Sequence, residues 1–312
     1  MDVLNKISKV RVIPYTGLKS LVLGVTQTRN KTRPVNSAYK IHGPSPTPSS
    51  VPIFVLHDCL GSKKNWESIC QKMAGNTNMT VVAVDARNHG DSPYDLSHGY
   101  YDLAEDMSIL IKKFGVDKCI FVGHSMGGRT AMLYALNEPS KVASLIVVDA
   151  SPVSMPNGLA DFYPKTIDVL SKIEFKDIDL NKAKLAARNK ILESGLFQNE
   201  LDLQLILMNI SQLKDAKLGF KYNLEALKNN ISKIVSFPTV PDKQYFGPTL
   251  FLGGQLSYAL PPDDMAGIHQ LFPNAHLFYI QGAGHNVHAH NPNAFYDTVM
   301  QFLYYNALMQ TA

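Results

Sequence analysis

Short apolar runs recur along the chain at positions 53–56, 80–84, 119–122, 145–148, 249–252 and 276–280. They are continuous rather than alternating, so each is expected to form a strand buried on both faces. That is the pattern of a mainly parallel sheet covered by helices. Between most of them the period turns helical, as at 129–136 and at 101–112, where Leu103, Met107, Leu110 and Ile111 share a face. A strand is also expected within 35–41. Asn291-Pro292 should open a last helix to about position 303, with the proline in its first turn. The fold class is therefore α/β.

The alternation breaks between 151 and 240, where strand patterns vanish and helical period governs 159–173, 183–192, 201–213 and 224–234. This stretch reads as a helical cap inserted after the strand that ends near Val148, between core segments 35–150 and 241–312. An insertion there would lie over the carboxyl ends of the strands, where open α/β sheets bind ligands. Phe162, Tyr163, Phe197, Leu205, Ile206 and Met208 are candidates to line an apolar pocket, set against plain packing between cap helices. The Pro/Ser stretch at 43–50 reads as a turn between edge strands.

Composition narrows the class. A chain of 312 residues can bury a large core without metals or cross-links. Its three cysteines, Cys59, Cys70 and Cys119, match no disulfide framework and suit a reducing compartment. No apolar run approaches the roughly 18 residues of a membrane span.

The charge of +4 is unevenly placed: residues 1–40 hold eight Lys/Arg and one acid. Of the chain's 30 basic and 26 acidic residues, 22 and 25 remain beyond position 40, a net of −3. On charge grounds the body is no nucleic-acid binder. The first 34 residues, basic and rich in Ser/Thr, read as a mitochondrial transit peptide, or else as a disordered basic tail. A mitochondrial location, in the matrix, is the expectation.

The chemistry centres on Gly123-His124-Ser125-Met126-Gly127-Gly128, between an apolar strand and a helix start. The spacing is that of a nucleophile elbow, in which glycines let a strand reverse sharply into a helix and leave the serine hydroxyl exposed. Ser125 is the candidate nucleophile, and a serine hydroxyl needs a neighbouring base. His285, in the turn Gly282-Ala283-Gly284-His285 after the last strand, is the candidate. His288 and His290 follow at H-x-x-H-x-H spacing, but no carboxylate or cysteine set accompanies them, so they read as surrounding residues rather than metal ligands. Cys59 is a rival nucleophile without an elbow. His124 is expected to buttress the elbow, and Trp66 to pack in the core.

These motifs in this order resemble the α/β-hydrolase superfamily across about 35–305: Leu60-Gly61-Ser62-Lys63 after a histidine, the segment Asp85 to Pro93, the elbow, Val148-Asp149-Ala150-Ser151-Pro152, Phe246 to Gly254, and the Gly282 to His285 turn. The resemblance implies a mitochondrial serine hydrolase acting on ester or acylglycerol-like substrates, with no cofactor. Many such proteins carry the triad acid after the strand matching 249–252, where this chain has no carboxylate until Asp263. Asp149 stands at the alternative position some relatives use and is the candidate acid, with Glu225 and Asp263 as alternatives. The backbone N–H groups of Met126 and Cys59 are the implied oxyanion donors. His57 and Ser257 are supporting residues, the latter able to hydrogen-bond within the triad. Segment 85–93 is expected to be structural.

Asp58 replaces the glycine of the usual His-Gly pair, and its charge could oppose an oxyanion. Two other readings therefore stand beside ester hydrolysis: alcohol acyl transfer through the same acyl-enzyme, and a hydrolase-fold protein that binds a ligand without turnover.

Overall fold

Every apolar run expected to be a strand is one in the computed structural model, which describes residues 33–155, 158–176, 178–213, 217–306 and 308. The expected transit peptide lies almost wholly outside these residues. The strands are β1 (Tyr39–His42), β2 (Ile53–Leu56), β3 (Val81–Val84), β4 (Cys119–His124), β5 (Val142–Val148), a separate hairpin of β6 (Ile210–Gln212) and β7 (Leu218–Phe220), then β8 (Thr249–Gly254) and β9 (Ala275–Ile280). The main sheet runs β1-β3-β2-β4-β5-β8-β9, parallel throughout except for β1, which pairs antiparallel with β3.

Successive side chains of a strand point to opposite faces, so the continuous apolar runs supply two cores. On one face Ile53, Val55, Ile120 and Val122 meet α1 (Glu67–Thr77) and the C-terminal helix. On the other, Phe54, Leu56 and Phe121 meet α2 (Tyr100–Phe114) and α3 (Met126–Asn137). Trp66, 1% exposed, belongs to the first core.

Helix ends follow local chemistry. Asp102 of α2 accepts from the Gly99 N–H at 2.9 Å, and the helix stops at Gly115, whose φ of +66° favours glycine.

Between β5 and β8 the chain forms α4 (Leu159–Ser171), α5 (Leu180–Glu193), α6 (Glu200–Leu207), the hairpin, α7 (Leu224–Asn229) and α8 (Ile231–Val235). The expectation of a wholly helical stretch is corrected here: the period over 201–213 gives way at position 208, and a two-stranded ribbon follows. The pattern at 224–234 likewise divides at Asn230, whose side chain donates to the Leu96 and Ala226 carbonyls, both at 2.9 Å. After β8 come α9 (Met265–Leu271), α10 (Val287–His290) and α11 (Pro292–Tyr305), the last capped by Asn291, whose side chain accepts from the Ala294 N–H. Among the described residues no helix is long and apolar enough to cross a membrane.

The segment Asp85 to Pro93 is a bonded scaffold. Asp85 accepts from the Lys63 and Asp91 N–H groups, both at 2.8 Å, and pairs with the Lys63 ammonium. Gly90, at φ +56°, lies so close to Asp85 that a Cβ would collide with its carboxylate, and its N–H reaches the Lys221 carbonyl beside the hairpin at 2.8 Å.

Candidate active site

Ser125 follows the last residue of β4 and precedes the first of α3, at φ 49° and ψ −111°, a conformation that few L-residues adopt. Three glycines permit it. A Cβ on Gly123 would meet the Gly127 carbonyl oxygen at 2.4 Å, one on Gly127 would meet that of Leu56 at 2.4 Å, and one on Gly128 that of Gly123 at 2.9 Å. The Ser125 N–H donates to the Val148 carbonyl at 2.9 Å, so the elbow hangs on the neighbouring strand. Met126 opens α3, where its N–H has no acceptor within the helix.

Asp149 directly follows β5, again at a positive φ, 50°, and is 1% exposed. Its carboxylate is filled: Oδ1 accepts from the Gly254 N–H at 2.9 Å, and Oδ2 from Ser257 Oγ at 2.5 Å and His285 Nδ1 at 2.6 Å. The bond to Asp149 fixes the His285 tautomer and leaves Nε2 buried and without a hydrogen-bond partner. Burial pulls the His285 pKa down, yet the Asp149 bond and charge, helped by Asp58 and Asp202, raise it above its ordinary 6.5.

Ser125, Asp149, Ser257 and His285 all line one cavity of about 350 Å³, with Leu159, Phe162, Tyr258 and Ala259 giving it apolar walls. Of the cap residues expected to line a pocket, Phe162 does so. Tyr163 is 6% exposed and packs in the core rather than on the cavity wall. Phe197 packs edge-on against Phe162, and Met208 is 39% exposed at the surface. Glu225 and Asp263, the alternative acids, are both exposed.

The loop after β2 is braced from behind. The His57 ring accepts the Ala86 N–H at Nε2, 3.0 Å, and donates from Nδ1 to the Asp58 carbonyl, 2.7 Å. The Gly61 N–H reaches the same carbonyl, and the Leu60 N–H reaches His89 Nε2. The left-handed residue here is Leu60, φ 66°, rather than Asp58. Cys59 sits at the bend, 2% exposed, and burial followed by the Asp58 charge pushes its thiol pKa far up, which removes it as a nucleophile.

The three late histidines diverge. His285 turns to Asp149, His288 stacks on Trp66 with ring centroids 3.9 Å apart, and His290 Nε2 donates to Asp202 at 2.8 Å. His290 Nδ1 accepts the Gly284 N–H at 2.9 Å, and Asn286 also donates to Asp202. Asp202 of α6 thus clamps the turn that carries His285. Arg129 is a second residue whose role the sequence did not disclose: its guanidinium bonds the carbonyls of Ser151, Ile234 and Val235, at both ends of the insertion. Its place in the first turn after the elbow was a weak signal. Asp202 carried none, because its partners lie some eighty residues away.

The sequence profile of the alpha/beta hydrolase fold matches residues 51–292, and the chain belongs to that family. Within it, the chain is 33% identical over 296 residues to the sn-1-specific diacylglycerol lipase ABHD11 of Danio rerio, covering 92% of this chain and 91% of that one. It is 34% identical over 299 residues to the Mus musculus protein of the same name, covering 93% and 92%. Among solved structures, a marine microorganism esterase superposes with a TM-score of 0.77 at 31% identity, over 86% of this chain and all of that one.

Proposed function

We propose that this protein is a serine carboxylic ester hydrolase that cleaves acylglycerol-type lipid esters through an acyl-enzyme on Ser125. The observation that carries the reading is the Asp149–His285 bond at 2.6 Å, which leaves His285 Nε2 unpartnered at the cavity that Ser125 also lines. Ser125 Oγ attacks the acyl carbonyl and its proton passes to His285 Nε2. Asp149 stabilises the resulting imidazolium, with Ser257 holding the carboxylate. The Met126 and Cys59 N–H groups receive the oxyanion. The tetrahedral adduct collapses as His285 protonates the departing alcohol, and water, deprotonated by the same nitrogen, releases the acid and frees Ser125.

Substrate class follows from the walls and from kinship. Leu159, Phe162, Tyr258 and Ala259 offer an apolar bed for an acyl chain, and the cavity falls in the roughly 300–1,000 Å³ range of small-molecule sites. The relatives named as diacylglycerol lipases support an acylglycerol. The basic, hydroxyl-rich segment at 1–34 supports delivery to the mitochondrial matrix, which import into isolated mitochondria with loss of that segment would establish.

The test is fluorophosphonate labelling and diacylglycerol hydrolysis by the purified protein and its Ser125→Ala variant. Labelling and turnover that both vanish in Ser125→Ala support the mechanism. A folded wild type that shows neither would replace it with a ligand-binding role.

A further inference from the structure

Two consecutive residues of the insertion, Tyr222 and Asn223, bond toward the two segments that offer N–H groups to an oxyanion. The buried Tyr222 hydroxyl donates to the Leu60 carbonyl, one residue beyond Cys59, and the Leu60 N–H donates to His89 Nε2 at 3.3 Å. His89 Nδ1 donates in turn to the Arg87 carbonyl at 2.9 Å, and its ring meets that of Tyr222 edge-on, with centroids 5.7 Å apart. Both backbone polar groups of left-handed Leu60 are thus engaged from outside their own loop. A non-glycine residue in that conformation persists only where its surroundings over-determine it.

Asn223 bonds the other way. Its N–H donates to the Asn88 carbonyl at 2.9 Å and its Nδ2 to Asn88 Oδ1 at 3.1 Å. The Asp95 N–H, which can only donate, lies 2.8 Å from the same Oδ1, so the buried Asn88 amide has one orientation and turns Nδ2 to His98 Nδ1 at 3.2 Å. An amide nitrogen only donates, so His98 Nδ1 accepts and the ring hydrogen sits on Nε2. Nε2 stands 3.3 Å from Met126 Sδ. A thioether is a weak acceptor, but His98 and Met126 are both buried, and the sulfur keeps this N–H from being orphaned. Donation therefore runs in one direction, from Asn223 to Asn88 to His98 to Met126. An unanchored methionine turns freely about three bonds. Here His98 holds the sulfur and Thr130 Oγ1 donates to the Met126 carbonyl at 2.9 Å, so the residue that offers its N–H at the start of α3 has little room to turn.

Building on the serine hydrolase reading, we propose that Tyr222 and Asn223 form a strut from the insertion to the oxyanion hole. Tyr222 sets the loop that carries Cys59, and Asn223, through Asn88 and His98, sets Met126. None of these side chains lines the cavity of Ser125 and His285, so all four are positioning residues. The strut also gives a purpose to the buried polar side chains of the 85–93 scaffold, which pass the brace from one segment to the next.

Tyr222→Phe removes one hydroxyl and keeps the ring. Asn223→Ser removes the donor to Asn88 and keeps a side chain able to cap α7, as Asn223 does by accepting from the Ala226 N–H at 3.2 Å. In the full chain each variant should lower kcat about tenfold with little change in KM, a part of the roughly 10²–10³ that a whole oxyanion donor supplies. Affinity for a trifluoromethyl ketone, whose adduct on Ser125 carries an oxyanion, should fall by the same factor. A loss of stability alone would move neither quantity in the folded protein. A folded variant that matches wild type in both overturns the arm it tests, and so does one that raises KM while kcat holds. Nitrogen NMR of the histidine-labelled wild type needs no variant: His98 should carry its hydrogen on Nε2 and leave Nδ1 bare, and the reverse tautomer overturns the chain to Met126. A folded wild type with neither turnover nor labelling sinks the hydrolase reading and the strut's role with it. An active wild type with the reverse tautomer or with unaltered variants sinks the strut alone.

Discussion

The Arg129 guanidinium donates to the Val235 carbonyl at 2.7 Å, tying the helix that follows Ser125 to the end of the inserted segment. It is 5% exposed and also reaches the Ile234 and Ser151 carbonyls. Arg129→Ala would strand these acceptors and should cost about 3 kcal/mol in urea unfolding. Arg129→Lys should recover little of it, because an ammonium cannot reproduce the planar fork. A loss within experimental error for Arg129→Ala would show that the insertion is held by its other contacts.

Asp149→Asn keeps an acceptor for the Gly254 N–H but lets the amide face His285 Nδ1 with its own hydrogens. The histidine should turn to the wrong tautomer, and kcat should fall by about 10⁴ with the fold retained. Ser257→Ala removes one of three donors to the carboxylate, so a drop nearer tenfold is expected. Steady-state kinetics beside circular dichroism check both, and equal losses in the two variants would contradict the assigned roles.

Asp202→Ala should loosen the turn that carries His285, because it removes the acceptor shared by Asn286 and His290. Activity should fall about tenfold through kcat while Ser125 still labels with fluorophosphonate, only more slowly. Unchanged kinetics would mean that the turn is rigid by itself.

The pH dependence has two parts of opposite sign. His285 must be neutral to act as base and its pKa is raised above 6.5, so kcat/KM should climb with pH through a midpoint above 6.5. Stability contributed by His285 is complete below 6.5 and fades as pH rises through the raised value.

Buried His57, His89 and His98 have the other sign. Burial first of all lowers each of them, His89 to about 3. Below 6.5 the unfolded chain binds protons there and the native state does not, so stability should fall as pH drops, by about 1.4 kcal/mol per pH unit for each group. Urea titrations from pH 7 to pH 4 measure the slope, and a flat profile would contradict the neutral assignment.

Strand positions were legible because β2, β3, β4, β5 and β8 are buried on both faces and announce it as unbroken apolar runs. The elbow was legible because a strained serine needs glycines at fixed offsets. The β6–β7 hairpin was not, since three-residue strands are too short to impose an alternating pattern on a helix-like neighbourhood. The break at Asn230 hid for a similar reason: the apolar period continues through it, and the long-range bond to Leu96 is invisible locally. Asp58 was visible as an oddity, but its surroundings were not: His124, whose Nδ1 stands 3.7 Å from its carboxylate, lies sixty-six positions later in the sequence, and the sheet places it alongside.

Ser125 and Asp149 each hang from the next strand of one parallel sheet: the Ser125 N–H on the Val148 carbonyl of β5, the Asp149 N–H on that of Leu252 of β8. The spacing of the reacting groups is therefore set by the distance between neighbouring strands, about 4.8 Å, and not by the segment above them. Arg129, in turn, holds that segment only through main-chain carbonyls, which every sequence supplies. The molecule separates like a lathe and its chuck: apart from Asp202, which grips the His285 turn, and the strut at Tyr222 and Asn223, the covering segment can be recut for another acyl group without realigning the machinery beneath.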